Sequence, residues 1–177
     1  MLEAVKQLTK EIQGQLTEQY PFLSQWDIGF DNAKKRAGIC RINEKKIAIS
    51  RNHINNNSIE TIEDTIRHEF AHAIAYHLYG ETGHGKSWKK VAIQLGAKAR
   101  ARASFNLPKA PWVLVHRCPE TQSIKLLSER FRRNKKIKNY FLSGQPDTKG
   151  ELYFIKHTDY LEFAQGKRKQ KALNFLQ

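Results

Sequence analysis

Cysteine is scarce in this 177-residue sequence: Cys40 and Cys118 stand far apart, beside a single methionine. Two distant cysteines do not make a disulfide framework, so a reducing interior is expected and a secreted, disulfide-built domain is not. Long hydrophobic runs are also lacking. None approaches the roughly 18–20 residues that cross a bilayer, which excludes a membrane partner of that kind. Residues 1–16 carry charges among their apolar positions, unlike the apolar centre of a signal peptide. A cytoplasmic, or nucleoid or nuclear, location is expected. There is no internal repeat, and only Asn55, Asn56 and Asn57 form a low-complexity run. Acidic residues are few, with 17 Asp/Glu against 31 Lys/Arg and a net charge of +14.

What is present is enough for a packed protein. Hydrophobic residues make up 40%, with nine Phe, six Tyr and three Trp, which excludes a disordered chain. The positive charge is uneven. Residues 1–98 hold 14 Lys/Arg and 11 Asp/Glu, a net of +3, whereas residues 99–177 hold 17 and 6, a net of +11. A basic half of this kind suits a polyanion, with DNA or another nucleic acid as the expected partner. Surface lysines that only keep the protein soluble are the plainer alternative.

Residues 2–19 place Leu2, Val5, Leu8, Ile12 and Leu16 at helical spacing, and Tyr20–Pro21 ends that helix. Residues 26–30, 38–42 and 46–50 read as a small antiparallel meander, followed by a polar loop over 51–57. Ser58 is a good N-cap for a second helix that runs to Tyr79 and stops at Gly80. A tight Gly83–His84–Gly85 loop precedes a third helix over 87–95. Residues 99–111 read as a linker. Strands are then expected at 112–117, 124–127, 140–142 and 152–155, and residues 161–177 as a basic tail. The fold class is therefore α+β: a core of three helices and a small antiparallel sheet over 1–98, then a basic β-rich subdomain over 112–160.

The chemistry concentrates in the second helix, at His68-Glu69-Phe70-Ala71-His72. Histidines four residues apart on a helix differ by about 40° around the axis and about 6 Å along it. Both imidazoles can reach one Zn²⁺ at about 2 Å. Glu69 is rotated by about 100° from His68, where it can take a proton from water that the metal activates. The pattern H-E-x-x-H arises by chance in about 2% of sequences of this composition. Ile59, Ile62, Ile66, Phe70, Ala73 and His77 form the core-facing stripe, and His68 and His72 point away from it. His77, in that stripe, is expected to be a packed core histidine. His84 is the favoured third ligand, twelve residues after His72, in a loop whose glycines permit unusual backbone angles. An exposed loop histidine is the plainer reading.

His84 continues as His84-Gly85-Lys86-Ser87-Trp88, and here the sequence resembles the SprT-like family of zincin-type proteases. The family pattern is H-E-x-x-H, a gap of about a dozen residues, then H-G-x-x and an aromatic residue. Gly38-Ile39-Cys40 and Ile47-Ala48-Ile49-Ser50 are similar to the strand hairpin that precedes the family's metal helix. The resemblance implies zinc ligands at His68, His72 and His84, a catalytic Glu69, and Trp88 packed beside the site, although Trp88 suits plain core equally. It also implies protein substrates, among them DNA-bound or DNA-crosslinked proteins.

SprT-like cores are often followed by a zinc ribbon with two cysteine pairs. Here His116 and Cys118 occupy the first pair's place, and only His157 follows, one ligand short of the four a structural zinc takes. The expectation is a degenerate zinc-ribbon-like fold without its metal, hence one Zn²⁺ per chain. Between its strands Arg130, Arg132, Arg133, Lys135, Lys136 and Lys138 crowd into nine residues. They are candidates for phosphate contacts, with Phe131 and Tyr140 as base-stacking candidates. A solvated charged hairpin is the alternative. Two functions compete: a zinc endopeptidase acting on DNA-associated proteins, and a nucleic-acid-binding or transcription-linked regulator with a zinc core and little turnover. An intact Glu69 favours the enzyme.

Overall fold

The computed structural model describes residues 1–100 and 105–177. Residues 101–104 of the segment read as a linker lie outside the described residues. The chain divides into two compact units, Met1–Pro108 and Lys109–Gln177. The architecture is α+β, with five α-helices and two small sheets among the described residues.

In the first unit, α1 (Leu2–Gln19) buries Val5, Ile12 and Leu16, as its spacing requires. Three strands follow: β1 (Asp27–Asp31), β2 (Gly38–Arg41) and β3 (Lys46–Ser50). They are not the expected antiparallel meander. Their order is β1-β3-β2, with β1 parallel to β3 and β2 antiparallel to it. Ile47, Ala48 and Ile49 make β3 the most buried strand, so it takes the centre. The Asp27–Lys46 ion pair, 2.9 Å, closes the parallel edge. Alternation gives a strand's faces but not its neighbour.

Residues 51–57, expected as a loop, mostly form a short helix, α2 (Arg51–Asn56). Ser50 Oγ accepts from the amides of Asn52 and His53, and that cap outweighs the poor helix propensity of the asparagines. α2 buries Ile54 and His53, and His53 Nε2 lies 3.0 Å from Thr65 Oγ1. α3 (Ile59–Tyr79) runs from Ser58 to a left-handed Gly80 with φ 67°, the conformation that favours glycine there. Ile62, Ile66, Phe70 and Ala73 are fully buried, and each large one contributes about 1.5–3 kcal/mol. His77 is not in that core. Burial on α3 stops at Ala75, and His77 lies exposed with its ring stacked 3.7 Å from Phe22. α4 (Lys86–Gln94) then packs Trp88, Val91 and Ala92 inward.

The second unit is a three-stranded antiparallel sheet with β4 (Trp112–Arg117) between β5 (Ile124–Arg130) and β6 (Leu152–Lys156). Both faces are covered. Val113, Val115 and Ile155 meet Leu173 on one, and Leu114, Leu152 and Phe154 meet Ile137 on the other. The expected strand at 140–142 is reduced to one bridge, Leu142 to Gln145. Residues 161–177, read as a tail, are part of this packing. α5 (His157–Ala164) begins the segment, and Leu176 exchanges backbone hydrogen bonds of 2.8 and 2.9 Å with Phe154. Apolar Leu173, Phe175 and Leu176 dominate that segment's folding despite its lysines. Among the described residues, no helix is long and apolar enough to cross a membrane.

Candidate metal centre

α3 presents His68 and His72 one turn apart, and the loop after Gly80 returns His84 to them. His84 Nε2 lies 3.1 Å from His68 Nε2 and 3.2 Å from His72 Nε2. All three ligand atoms fall within 4.8 Å of one another, the one such convergence among the described residues. Tetrahedral zinc with Zn–N bonds of about 2.05 Å separates its nitrogens by about 3.3 Å. Protein chemistry alone satisfies this arrangement poorly. One N–H on His84 serves one neighbour at a time, and the other contact sets like against like. A cation among three neutral imidazoles removes that conflict, so the donor set fits zinc.

The surroundings keep these imidazoles neutral, the form a metal needs. Burial, with the neighbouring imidazoles, lowers the pKa of His68 to about 4 and of His72 to about 3. His84 is lowered by burial and pulled back by the Glu81 charge. Trp88 is fully buried with its ring centroid 4.4–5.2 Å from all three imidazoles, the packing expected of it. Its indole Nε1 has no hydrogen-bond partner.

Glu69 is 7% exposed and faces the same cleft, a cavity of about 630 Å³. Burial raises its pKa to about 8, against the pull of the Arg36 charge and the Cys40 amide N–H bonded to it. A cation held by the neighbouring histidines would oppose that shift and favour the carboxylate, the form that can accept a proton. β2 sets its position. A Cβ on Gly38 would stand 2.7 Å from Glu69 Oε1 and 2.8 Å from Cγ, so only glycine lets the strand approach this closely. Burial, then the Glu69 charge, pushes the Cys40 thiol up to about 12, which leaves it neutral. Arg36, paired with Asp31, lines the cleft with Lys35, Thr65 and Phe105. The roles of Gly38, the Cys40 amide and Arg36 were not anticipated. A glycine inside a strand was the available signal.

Gly83 and Gly85 do not adopt the unusual backbone angles expected of them, since neither has a positive φ. Gly85 instead leaves the room that the Glu81 carboxylate occupies, and a side chain there would have to displace it. Its Cβ would fall 2.0 Å from Glu81 Oε1.

In the second unit, Arg130, Arg132, Arg133, Lys135, Lys136 and Lys138 are all exposed, on the end of β5 and the turns after it. Arg133 lies 4.9 Å over the Trp112 ring. Arg130 and Arg132 border a cavity of about 450 Å³ with Leu127, Tyr140, Phe141 and Phe154. Tyr140 is 53% and Phe141 51% exposed, while Phe131 is partly buried. His116, Cys118 and His157 do not converge. His116 pairs with Glu151 at 2.8 Å and Cys118 follows it, whereas His157 bonds the Ala110 carbonyl at the opposite end of β4.

A model of the SprT-like family matches residues 3–110. No curated protein matches the chain.

Proposed function

This chain belongs to the SprT-like family, and we propose that it is a zinc-dependent endopeptidase, with one zinc per chain, that cleaves proteins bound or crosslinked to DNA. The observation that carries the peptidase reading is the convergence of three imidazole Nε2 atoms beside a buried carboxyl. Family membership makes a metallopeptidase-type domain the natural frame for that geometry. Zinc held by His68, His72 and His84 would supply the Lewis acidity that polarises a peptide carbonyl and acidifies water. Glu69 takes a proton from the attacking water. The water oxygen bonds to the carbonyl carbon, the C–N bond breaks, and Glu69 returns the proton to the leaving amine. Trp88 excludes solvent behind the histidines, and Gly38 with the Cys40 amide holds the Glu69 carboxyl in place.

The nucleic-acid part rests on the second unit. Six exposed basic side chains offer phosphate contacts, and Tyr140 and Phe141 beside Arg130 and Arg132 offer faces for unpaired bases. We read this sheet as ribbon-like and held by apolar packing rather than by metal. The test is digestion of a DNA-bound protein such as histone by wild type and Glu69→Gln, both with zinc content measured. Loss of about 10²–10⁴-fold in rate with zinc retained is expected. Equal inactivity of both, with zinc bound, would falsify the peptidase reading and leave a regulatory zinc core.

A further inference from the structure

Between His72 and His84 the chain passes Glu81, a carboxylate that the metal cluster does not include. Glu81 Oε2 accepts the Ser87 amide N–H at 3.0 Å, spanning the loop that carries His84. α4 has no side-chain cap of its own at Gly85, so Glu81 supplies one from outside, with a negative charge at the helix's positive end. The carboxylate lies directly over Gly85, where any Cβ would meet Oε1 at 2.0 Å and Cδ at 2.8 Å. Oε1 is buried with no hydrogen-bond partner in the protein. Nothing in the second glycine's backbone angles requires glycine. Its small size is what admits Glu81.

We infer that Glu81 is a positioning residue for the metal site: its carboxylate clamps the His84 loop to the start of α4. The clamp fixes two things at once. It sets His84 Nε2 opposite His68 and His72, and it sets Trp88, two residues into α4 from Lys86, against all three imidazoles. Outer partners that orient ligating histidines typically change metal affinity by 10–100-fold when removed. Gly85 and Glu81 form one device, because a methyl at the first evicts the second.

This inference rests on the metal reading above, and the experiment separates the two. Zinc affinity is measured by chelator competition on the full chain, with far-UV circular dichroism and zinc-free melting recorded for each variant. His84→Ala is the control: if zinc affinity survives it, the metal reading fails. With that control behaving as a ligand, Glu81→Ala and Gly85→Ala should each weaken zinc by about 10–100-fold. The double variant should be no weaker than the worse single, since both remove the same clamp. Glu81→Gln, whose amide oxygen still accepts the Ser87 N–H, should recover most of the affinity. The visible absorption of the cobalt(II)-substituted protein should change in Glu81→Ala and not in Glu81→Gln. A plain helix cap would lower the zinc-free melting temperature and leave metal affinity and the cobalt spectrum unmoved. That result, additive losses in the double variant, or no rescue by glutamine overturns the inference.

Discussion

In the unit formed by Met1–Pro108, Glu69 and His72 are each less than a tenth exposed and face one cleft with His68 and His84. In the unit formed by Lys109–Gln177, the six basic residues between 130 and 138 all lie at the surface. The two arrangements have different physical weight. Taking a carboxyl and imidazoles out of water costs several kcal/mol unless something compensates, so their convergence calls for a ligand. Surface lysines and arginines cost almost nothing, and their clustering alone calls for no partner. The first unit's chemistry is therefore readable from geometry, and the second's only from charge together with the exposed Tyr140 and Phe141.

One methyl group tests how tightly the first unit is set. Gly38→Ala places a Cβ where Glu69 now sits, and the far end of that carboxyl must move by about an ångström. Misplacement on this scale costs about a hundredfold in rate. Zinc affinity should stay within about twofold, because the three atoms nearest to such a Cβ all belong to Glu69 and not to a histidine. Peptide cleavage and chelator competition on the same preparation check both halves of that statement. Full activity in Gly38→Ala would show that β2 does not set the proposed general base, and the contrast between the units would soften.

What the sequence revealed follows the same division. α3 was legible because the histidine spacing, the buried Ile62, Ile66, Phe70 and Ala73 and the Gly80 end agree with one another, although Ser58 stands at the N-cap without a side-chain bond to the helix and Ile59 and His77 lie exposed. His84 was legible through its flanking glycines, although the reason for Gly85 was not, since it depends on a side chain four residues earlier folding back. Gly38 acts through Glu69, a contact between a strand and a helix that no local pattern encodes. α2 was hidden because Ser50 caps it from the last position of a strand. The terminal segment was misread for the opposite reason. Its basic run masked Leu173, Phe175 and Leu176, which cover the sheet.

A smaller effect is expected in the second unit. Replacing Lys135, Lys136 and Lys138 together by Gln should weaken single-stranded DNA binding by about tenfold at moderate salt. The salt dependence should flatten by about 0.7 in log–log slope for each phosphate that is no longer neutralised. Protease activity on a free peptide should not change. Filter binding over a salt series reads the first two quantities. Affinity and slope identical to wild type would remove these lysines from the interface and return them to the role of solubilising charge.

The smallest effect separates the units by proton uptake in the zinc-free protein. Glu69 is raised to about 8, so the folded form keeps a proton that the unfolded form has lost above about 4.5. Its effect is a stability that falls as pH rises from about 4.5 to about 8. His68 and His72 are lowered to about 4 and about 3 from 6.5, so below pH 6.5 the unfolded form takes up two protons that the folded form refuses. Their effect is a stability that falls as pH drops through that range. Two protons outweigh one between pH 4.5 and 6.5, His53 and His84, also lowered by burial, act in the same direction, and at lower pH the lowered Asp31 carboxyl adds to the loss. The first unit without zinc should be most stable near pH 6.5 and lose several degrees of melting temperature by pH 4.5. Calorimetry of the zinc-free chain between pH 4.5 and 8 reads this directly. A melting temperature still rising as pH falls from 6 to 4.5 would mean that the histidines are not held neutral, and the cluster would lose its readiness for a metal.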